Sequence, residues 1–291
     1  MQSVQDIEIR LLSESDITAA MKLKEAAGWN QTEDDWRRLI SLEPAGCFAA
    51  IRNHELVGTT TTTTYTDQLA WVGMVLVDPQ NRRQGIATRL METALGYLKG
   101  KVATVKLDAT AQGKPVYERF GFEEESLVER WTGSIKSRND IGPIGPISLI
   151  NKLNIAAHFE LLDLDRQAFG ADRSSLIEGL IDDAFVTPVL KKSVAGRLTG
   201  YALARPGTKA NYLGPIVATD PSSVESLLDE MLRRMDGGRV YIDFNRECST
   251  PVSVLSDRGF VKERDLIRMT TRPPAKKTSP FVIAIAGPEI G

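Results

Sequence analysis

The residues best placed to do chemistry lie in one short stretch, Val75-Leu76-Val77-Asp78-Pro79-Gln80-Asn81-Arg82-Arg83-Gln84-Gly85-Ile86-Ala87. An apolar run stops at a proline. A basic turn follows, and then a pattern that starts a helix with small residues. The first amides of a helix have no carbonyl partner within it and point outward at the positive end of the helix dipole. Gly85 and Ala87 keep side chains out of the way, so an anion could approach the backbone of Gly85, Ile86, Ala87 and Thr88, with Arg82, Arg83 and Gln84 adding charge and donors nearby. A pyrophosphate is the natural ligand for such a turn. The blander alternative is an ordinary strand-to-helix connection that holds two arginines. Neither a dinucleotide-binding G-x-G-x-x-G nor a G-x-x-x-x-G-K-[ST] loop is present.

Other candidates stand singly. Tyr117 lies in Val116-Tyr117-Glu118-Arg119-Phe120-Gly121-Phe122, and Asp108 follows an apolar strand pattern. As a lone acid at a strand end, Asp108 also reads as a turn or cap residue. His54 falls in a hairpin turn, and His158 reads as structural. The two cysteines, Cys47 and Cys248, are far apart, which suits neither a disulfide framework nor a metal spacing, and no metal is expected.

These residues need elements to position them. Ile7–Leu12 is strand-like, and Ser13 to Asp16 fits a capping box ahead of a helix reaching about Ala27. A second helix is expected from Thr32, with Asp34 and Asp35 in its first turn. Cys47–Ile51 and Glu55–Tyr65 read as a hairpin whose second arm holds the β-branched run Thr59–Thr64. Trp71–Val77 is a further strand. Ile86, Leu90, Ala94, Leu95 and Leu98 recur at helical spacing before a cap at Gly100. A strand over Val102–Leu107 and a helix over Lys114–Phe120 follow. The expected order is strand, two helices, three strands, helix, strand, helix, strand.

The second half repeats the first faintly. Trp71-Val72-Gly73 matches Tyr212-Leu213-Gly214, Asp78-Pro79 matches Asp220-Pro221, Leu107-Asp108 matches Ile242-Asp243, and Gly121-Phe122 matches Gly259-Phe260. Their shared order suggests two copies of one domain. The predicted division is 1–133, a Gly/Pro-rich linker at 134–150, and 151–291. The second copy lacks the basic loop: Ser222, Ser223, Val224 and Glu225 follow Asp220-Pro221, and Leu255 replaces the tyrosine. It is expected to bind no anion there. Tyr201, Arg205, Asp243 and Asn245 are polar residues at predicted strand ends that could meet an acceptor, or could simply decorate the surface.

Composition closes off other classes. The net charge of -2 gives no overall pull toward nucleic acid or anionic lipid. No apolar run approaches the roughly 20 residues of a membrane span. With no signal-peptide pattern at the start, a cytoplasmic setting is expected. The sequence leaves monomer and dimer equally open.

The segment from Val77 to Ala87 resembles the acyl-CoA loop of the GNAT N-acetyltransferase superfamily, Q/R-x-x-G-x-G/A, read here as Arg82 to Ala87. The order of elements over residues 7–132 and the Tyr117-to-Phe122 segment are similar to that superfamily as well. The whole chain resembles a YitH-like tandem subgroup through Trp71–Val77, Leu107–Thr110, Gly214-Pro215 and Arg268-Met269. The resemblance implies an α+β fold of two tandem domains, each a mostly antiparallel twisted sheet flanked by helices with a splayed central strand pair. It implies acetyl-CoA as donor, with pyrophosphate on the amides from Arg83 to Ala87 and pantetheine along Met74, Val75, Leu76 and Val77. It further implies that a Val75 amide polarises the thioester carbonyl, that Tyr117 protonates the leaving thiolate, and that Trp29 and Asn30, between the first two helices, wall an amine-acceptor pocket. Two departures stand out. Thr110 replaces the usual asparagine, and Trp71–Val77 has no acid where many members keep a glutamate base, which leaves Asp108 or a water relay. The rival readings are a CoA-binding regulatory module and a two-domain scaffold.

Overall fold

A computed structural model describes residues 7–135, 147–149, 155–235, 237–272 and 279–291. The expected linker therefore lies mostly outside the described residues. The chain forms two compact units. Unit 1 comprises Met1–Glu124, Met269–Pro273 and Glu289–Gly291; unit 2 comprises Glu125–Arg268 and Pro274–Pro288. The division predicted from the sequence is 1–133, a linker at 134–150 and 151–291; each compact unit also takes in short segments from the other half of the chain.

Unit 1 follows the expected order: β1 (Glu8–Leu11), α1 (Ile17–Ala26), α2 (Glu33–Leu42), β2 (Phe48–Arg52), β3 (Glu55–Tyr65), β4 (Leu69–Val77), α3 (Ile86–Leu98), β5 (Thr104–Ala109) and α4 (Lys114–Glu118), with β6 (Glu123–Ile135) leading onward. The local signals act as read. The Asp16 carboxylate accepts from the Ser13 amide at 2.9 Å and hydroxyl at 2.9 Å, through one 3-10 turn before α1. Thr32 caps α2 by accepting from the Asp35 amide. The strand order is β1-β2-β3-β4-β5, antiparallel except for the parallel β4–β5 pair. Beyond β5 the Thr271 amide donates to the Val105 carbonyl at 3.0 Å. One sheet face packs Phe48, Ala50 and Val57 against Ile86, Leu90 and Ala94 of α3. Burying such side chains contributes roughly 1.5–3 kcal/mol each.

Unit 2 repeats the plan with β7 (Ile147–Leu149), α5 (Ile155–Phe169), α6 (Ser174–Asp182), β8 (Val189–Lys192), β9 (Leu198–Arg205), β10 (Asn211–Ala218), α7 (Pro221–Arg234), β11 (Gly238–Asn245), α8 (Ser253–Ser256) and β12 (Val261–Thr270). One strand has no counterpart in the first copy. β13 (Val282–Ala284) lies between β10 and β11 and pairs antiparallel with both. Its place is held by Asn245, whose Nδ2 donates to the Val282 carbonyl at 2.9 Å, by the Ile285 amide donating to the Asp243 carbonyl, and by Arg205, which donates to the Ala286 carbonyl at 2.6 Å.

Candidate active site

The site in unit 1 begins where β4 parts from its neighbours. Among the described residues β4 pairs with β5 at Leu69↔Thr104, Ala70↔Val105 and Trp71↔Lys106, and no strand pairs with its C-terminal half on that side. Against β3 the register jumps from Thr61↔Gly73 to Thr59↔Leu76, so neither Met74 nor Val75 is matched. Met74 takes φ +49°, and its carbonyl is claimed by the Thr59 hydroxyl at 2.8 Å. A bulge of this kind re-aims backbone groups out of the ladder. It leaves Val75, Leu76 and Val77 beside a wedge between β4 and β5 in which an extended ligand could add main-chain hydrogen bonds.

The wedge leads to the basic turn. The Asp78 amide is tied to Val57 O at 2.9 Å, a 3-10 turn covers Pro79–Asn81, and Arg83 and Gly85 both take positive φ, +60° and +78°. The first helical bond of α3 runs from the Arg89 amide to Gly85 O at 3.0 Å. The amides of Ile86, Ala87 and Thr88 precede it, and no side chain caps this end. A Cβ built on Gly85 would meet nothing within 4 Å, so the space beside Gly85 at this helix start is open. Arg82 and Arg83 are exposed at its rim, and the Gln84 side chain is turned inward.

Arg52, which the sequence reading passed over as a hairpin residue, underlies this turn. It is buried, and its Nη1 donates to Asn81 Oδ1 at 2.9 Å and Gln84 Oε1 at 2.6 Å, while Nη2 has no partner. Among the described residues no carboxylate pairs with it. An uncompensated buried guanidinium is costly unless an anion comes close, so it adds to the field that the dipole supplies. Nothing in the spacing around Arg52 announces this; the contact closes only when β2 is laid beside β3.

Tyr117 sits on α4 with its ring edge-on to Phe122, at 6.3 Å between centroids. Desolvation raises its phenol to about 12, so it holds its proton throughout the neutral range. Its hydroxyl makes no hydrogen bond to a described residue. Thr110 caps the turn into α4 by accepting from the Gly113 amide at 3.1 Å. Asp108 lies on β5 just beyond the last residue paired with β4 and is half-buried. Trp29 is half-buried and Asn30 is buried, in the connection from α1 to α2.

Two candidates are corrected. Tyr201 and Asp243, expected at strand ends open to an acceptor, are fully buried in unit 2. The Tyr201 hydroxyl donates to Asp165, which also holds Arg173 at 2.9 Å. Asp243 accepts from Arg130 at 2.8 and 2.6 Å and from Tyr212 at 3.1 Å. Buried charges persist only when paired, and these two are spent on their partners. Arg205 and Asn245 are likewise buried and hold the β13 segment.

The thiols are inert: burial pushes Cys47 up to about 12 and Cys248 up to about 11. Among the described residues no cluster of three or more His, Cys, Asp or Glu could hold a metal, and no helix is long and apolar enough to cross a membrane.

A family model described as an acetyltransferase (GNAT) domain matches residues 17–133, and a second model of the same description matches 161–281. The uncharacterized N-acetyltransferase YitH of Bacillus subtilis is 30% identical over 203 residues, 67% of each chain. The chain belongs to the GNAT acetyltransferase family. A holothin acyltransferase of a Pseudoalteromonas species is 24% identical over 267 residues, covering 91% of this chain and 88% of that one. Among solved structures, a proposed acetyltransferase from Pyrococcus horikoshii superposes with a TM-score of 0.81 at 21% identity, covering 99% of this chain and 96% of that one. A GCN5-related N-acetyltransferase from Sphaerobacter thermophilus gives 0.69 at 14% identity, covering 94% and 98%. This GNAT chain is thus an acyltransferase built from two GNAT domains in tandem, and the fold expected from the sequence is the fold observed.

Proposed function

We propose that unit 1 moves an acetyl group from acetyl-CoA to a primary amine on a small molecule or peptide. The observation that carries this reading is the open, uncapped start of α3 at the end of a wedge that unit 1 leaves between β4 and β5. The amides of Gly85 to Thr88, with Arg82, Arg83 and Gln84 around them and Arg52 beneath, would hold the pyrophosphate. Met74 to Val77 would pair with the pantetheine arm, and the Thr110 hydroxyl keeps a free donor on the same side.

The chemistry asks little of the protein. Amine nitrogen attacks the thioester carbonyl, the C–N bond forms, and the C–S bond breaks. The Val75 amide, released from the β3 ladder, is the donor for the developing oxyanion. Tyr117, whose ring packs edge-on against Phe122, is the group that would supply a proton to the departing thiolate. The ammonium proton must leave before attack, and Asp108 is the acid that the first copy of the sequence offers. Trp29 and Asn30 form one wall for the acceptor. The holothin acyltransferase is named for a small-molecule acceptor, which favours that class here. Unit 2 binds no CoA in this reading, since its own strand β13 fills the corresponding wedge.

Thiol release from acetyl-CoA across a panel of amines tests the proposal. Tyr117→Phe is expected to lower turnover about tenfold to a hundredfold, at the low end of what a general acid contributes, with acetyl-CoA affinity unchanged. Unchanged turnover would remove Tyr117 from the reaction.

A further inference from the structure

β4 of unit 1 carries no acid, yet a carboxylate stands beside it. Glu289, from the short segment Glu289–Gly291 that packs into unit 1, lies against Gly73. A Cβ built on Gly73 would fall 2.5 Å from the Glu289 carbonyl oxygen, 2.8 Å from its Cα and 2.9 Å from its Cβ. The space a side chain at position 73 would take is therefore filled by Glu289. Its Oε2 accepts from Gln31 Nε2 at 2.8 Å, which ties it to the connection between α1 and α2. The next residue is fixed too, since Tyr65 donates its hydroxyl to the Ile290 carbonyl at 2.7 Å.

The surroundings are polar and unsatisfied. Strand alternation puts Thr61, Thr63 and Tyr65 on one face of β3, and Thr61 is the register partner of Gly73. The hydroxyls of Thr61 and Thr63 are buried without a partner, as is Gln31 Oε1. Buried polar atoms are normally paired, so a cluster of orphans around one carboxylate marks a place for a polar ligand. Gly73 is two residues before Val75 on the same strand, so the Glu289 segment lies beside the part of β4 whose amide would polarise the carbonyl.

We propose that Glu289 is the acid that receives the acceptor's proton, in place of the glutamate that β4 lacks. Its carboxylate draws the acceptor ammonium into the Gln31–Thr61–Thr63 face and takes one N–H proton. The freed lone pair then forms the C–N bond as the C–S bond breaks, and the second N–H proton passes to the Tyr117 phenolate left when Tyr117 protonates the thiolate. The inference rests on the donor assignment above, and it shifts the base from Asp108 to a residue almost 220 positions beyond Gly73.

The test uses the full chain, acetyl-CoA and two minimal acceptors. Ethylamine is protonated at neutral pH and needs a base, whereas hydroxylamine is already unprotonated. Glu289→Gln is expected to cut ethylamine-dependent thiol release at least tenfold while hydroxylamine-dependent release and the heat of acetyl-CoA binding stay within twofold. The residual ethylamine rate should climb about tenfold per pH unit, following the free amine, and Glu289→Asp should recover part of the loss. Equal rates for wild type and Glu289→Gln with ethylamine would overturn the proposal. So would loss with both amines while acetyl-CoA still binds, which would mark Glu289 as structural, or a wild type that binds acetyl-CoA yet serves neither amine. A wild type that gives no heat with acetyl-CoA would instead overturn the donor assignment itself.

Discussion

Units 1 and 2 are built to one plan and differ at the two places where the plan can hold a ligand. In unit 1 the helix after the fourth strand starts at Gly85, in the left-handed region with no side-chain cap; in unit 2 the corresponding helix, α7, starts at Asp220, whose carboxylate accepts from the Ser223 amide and from the Ser222 and Ser223 hydroxyls. One helix start is open and bordered by arginine; the other satisfies itself with its own anion. The wedge differs in the same sense. Among the described residues no strand pairs with β4 and β5 beyond Trp71 and Lys106, whereas between β10 and β11 the strand β13 pairs with both. Backbone groups at a splay must be satisfied by something. Unit 2 uses its own chain, and in unit 1 the proposed acetyl-CoA would take that role.

The sharpest way to break this contrast is Gly85→Glu. A side chain at φ +78° is strained, and a carboxylate at the helix start opposes a diphosphate. Acetyl-CoA affinity should fall at least a hundredfold by calorimetry, while the left-handed strain of about 1–2 kcal/mol lowers the melting temperature by only about 2–8 °C. Next in size is Asp243→Ala in unit 2, which removes the buried carboxylate that accepts two hydrogen bonds from Arg130. Removing one partner of a buried pair costs roughly 3–5 kcal/mol, so the melting temperature should drop by about 10 °C in a thermal scan. Acetyl-CoA affinity measured below the transition should hold, because Asp243 is a structural residue. The smallest effect is expected for Asp220→Ala, where loss of a cap costs about 1 kcal/mol and about 2–4 °C. This variant should gain no acetyl-CoA site, since β13 still fills the wedge; a second site appearing would show that the cap alone separates the units.

Much of this was legible in the sequence because it is written locally. The run Ile86, Leu90, Ala94 and Leu98, the proline after Val77 and the cap at Thr32 each act within a few residues, and the elements of unit 1 appear in the order those signals predict. The basic turn was legible for the same reason. What escaped is long-range. Arg52 joins the loop across 29 and 32 positions, and Glu289 reaches Gln31 across 258. No periodicity encodes such contacts. Tyr201 and Asp243 were misjudged because a polar residue in a strand reads as a surface residue until its buried partner, Asp165 or Arg130, is known. The strand β13 has no equivalent in the first copy, so the internal repeat could not reveal it.

The account turns on one wedge being open and the other closed within a single chain. Titration calorimetry of the full chain with acetyl-CoA measures this most directly, because binding stoichiometry counts open wedges. One molecule of acetyl-CoA per chain is predicted, with the heat lost in Gly85→Glu. Two molecules per chain, or none, would contradict it.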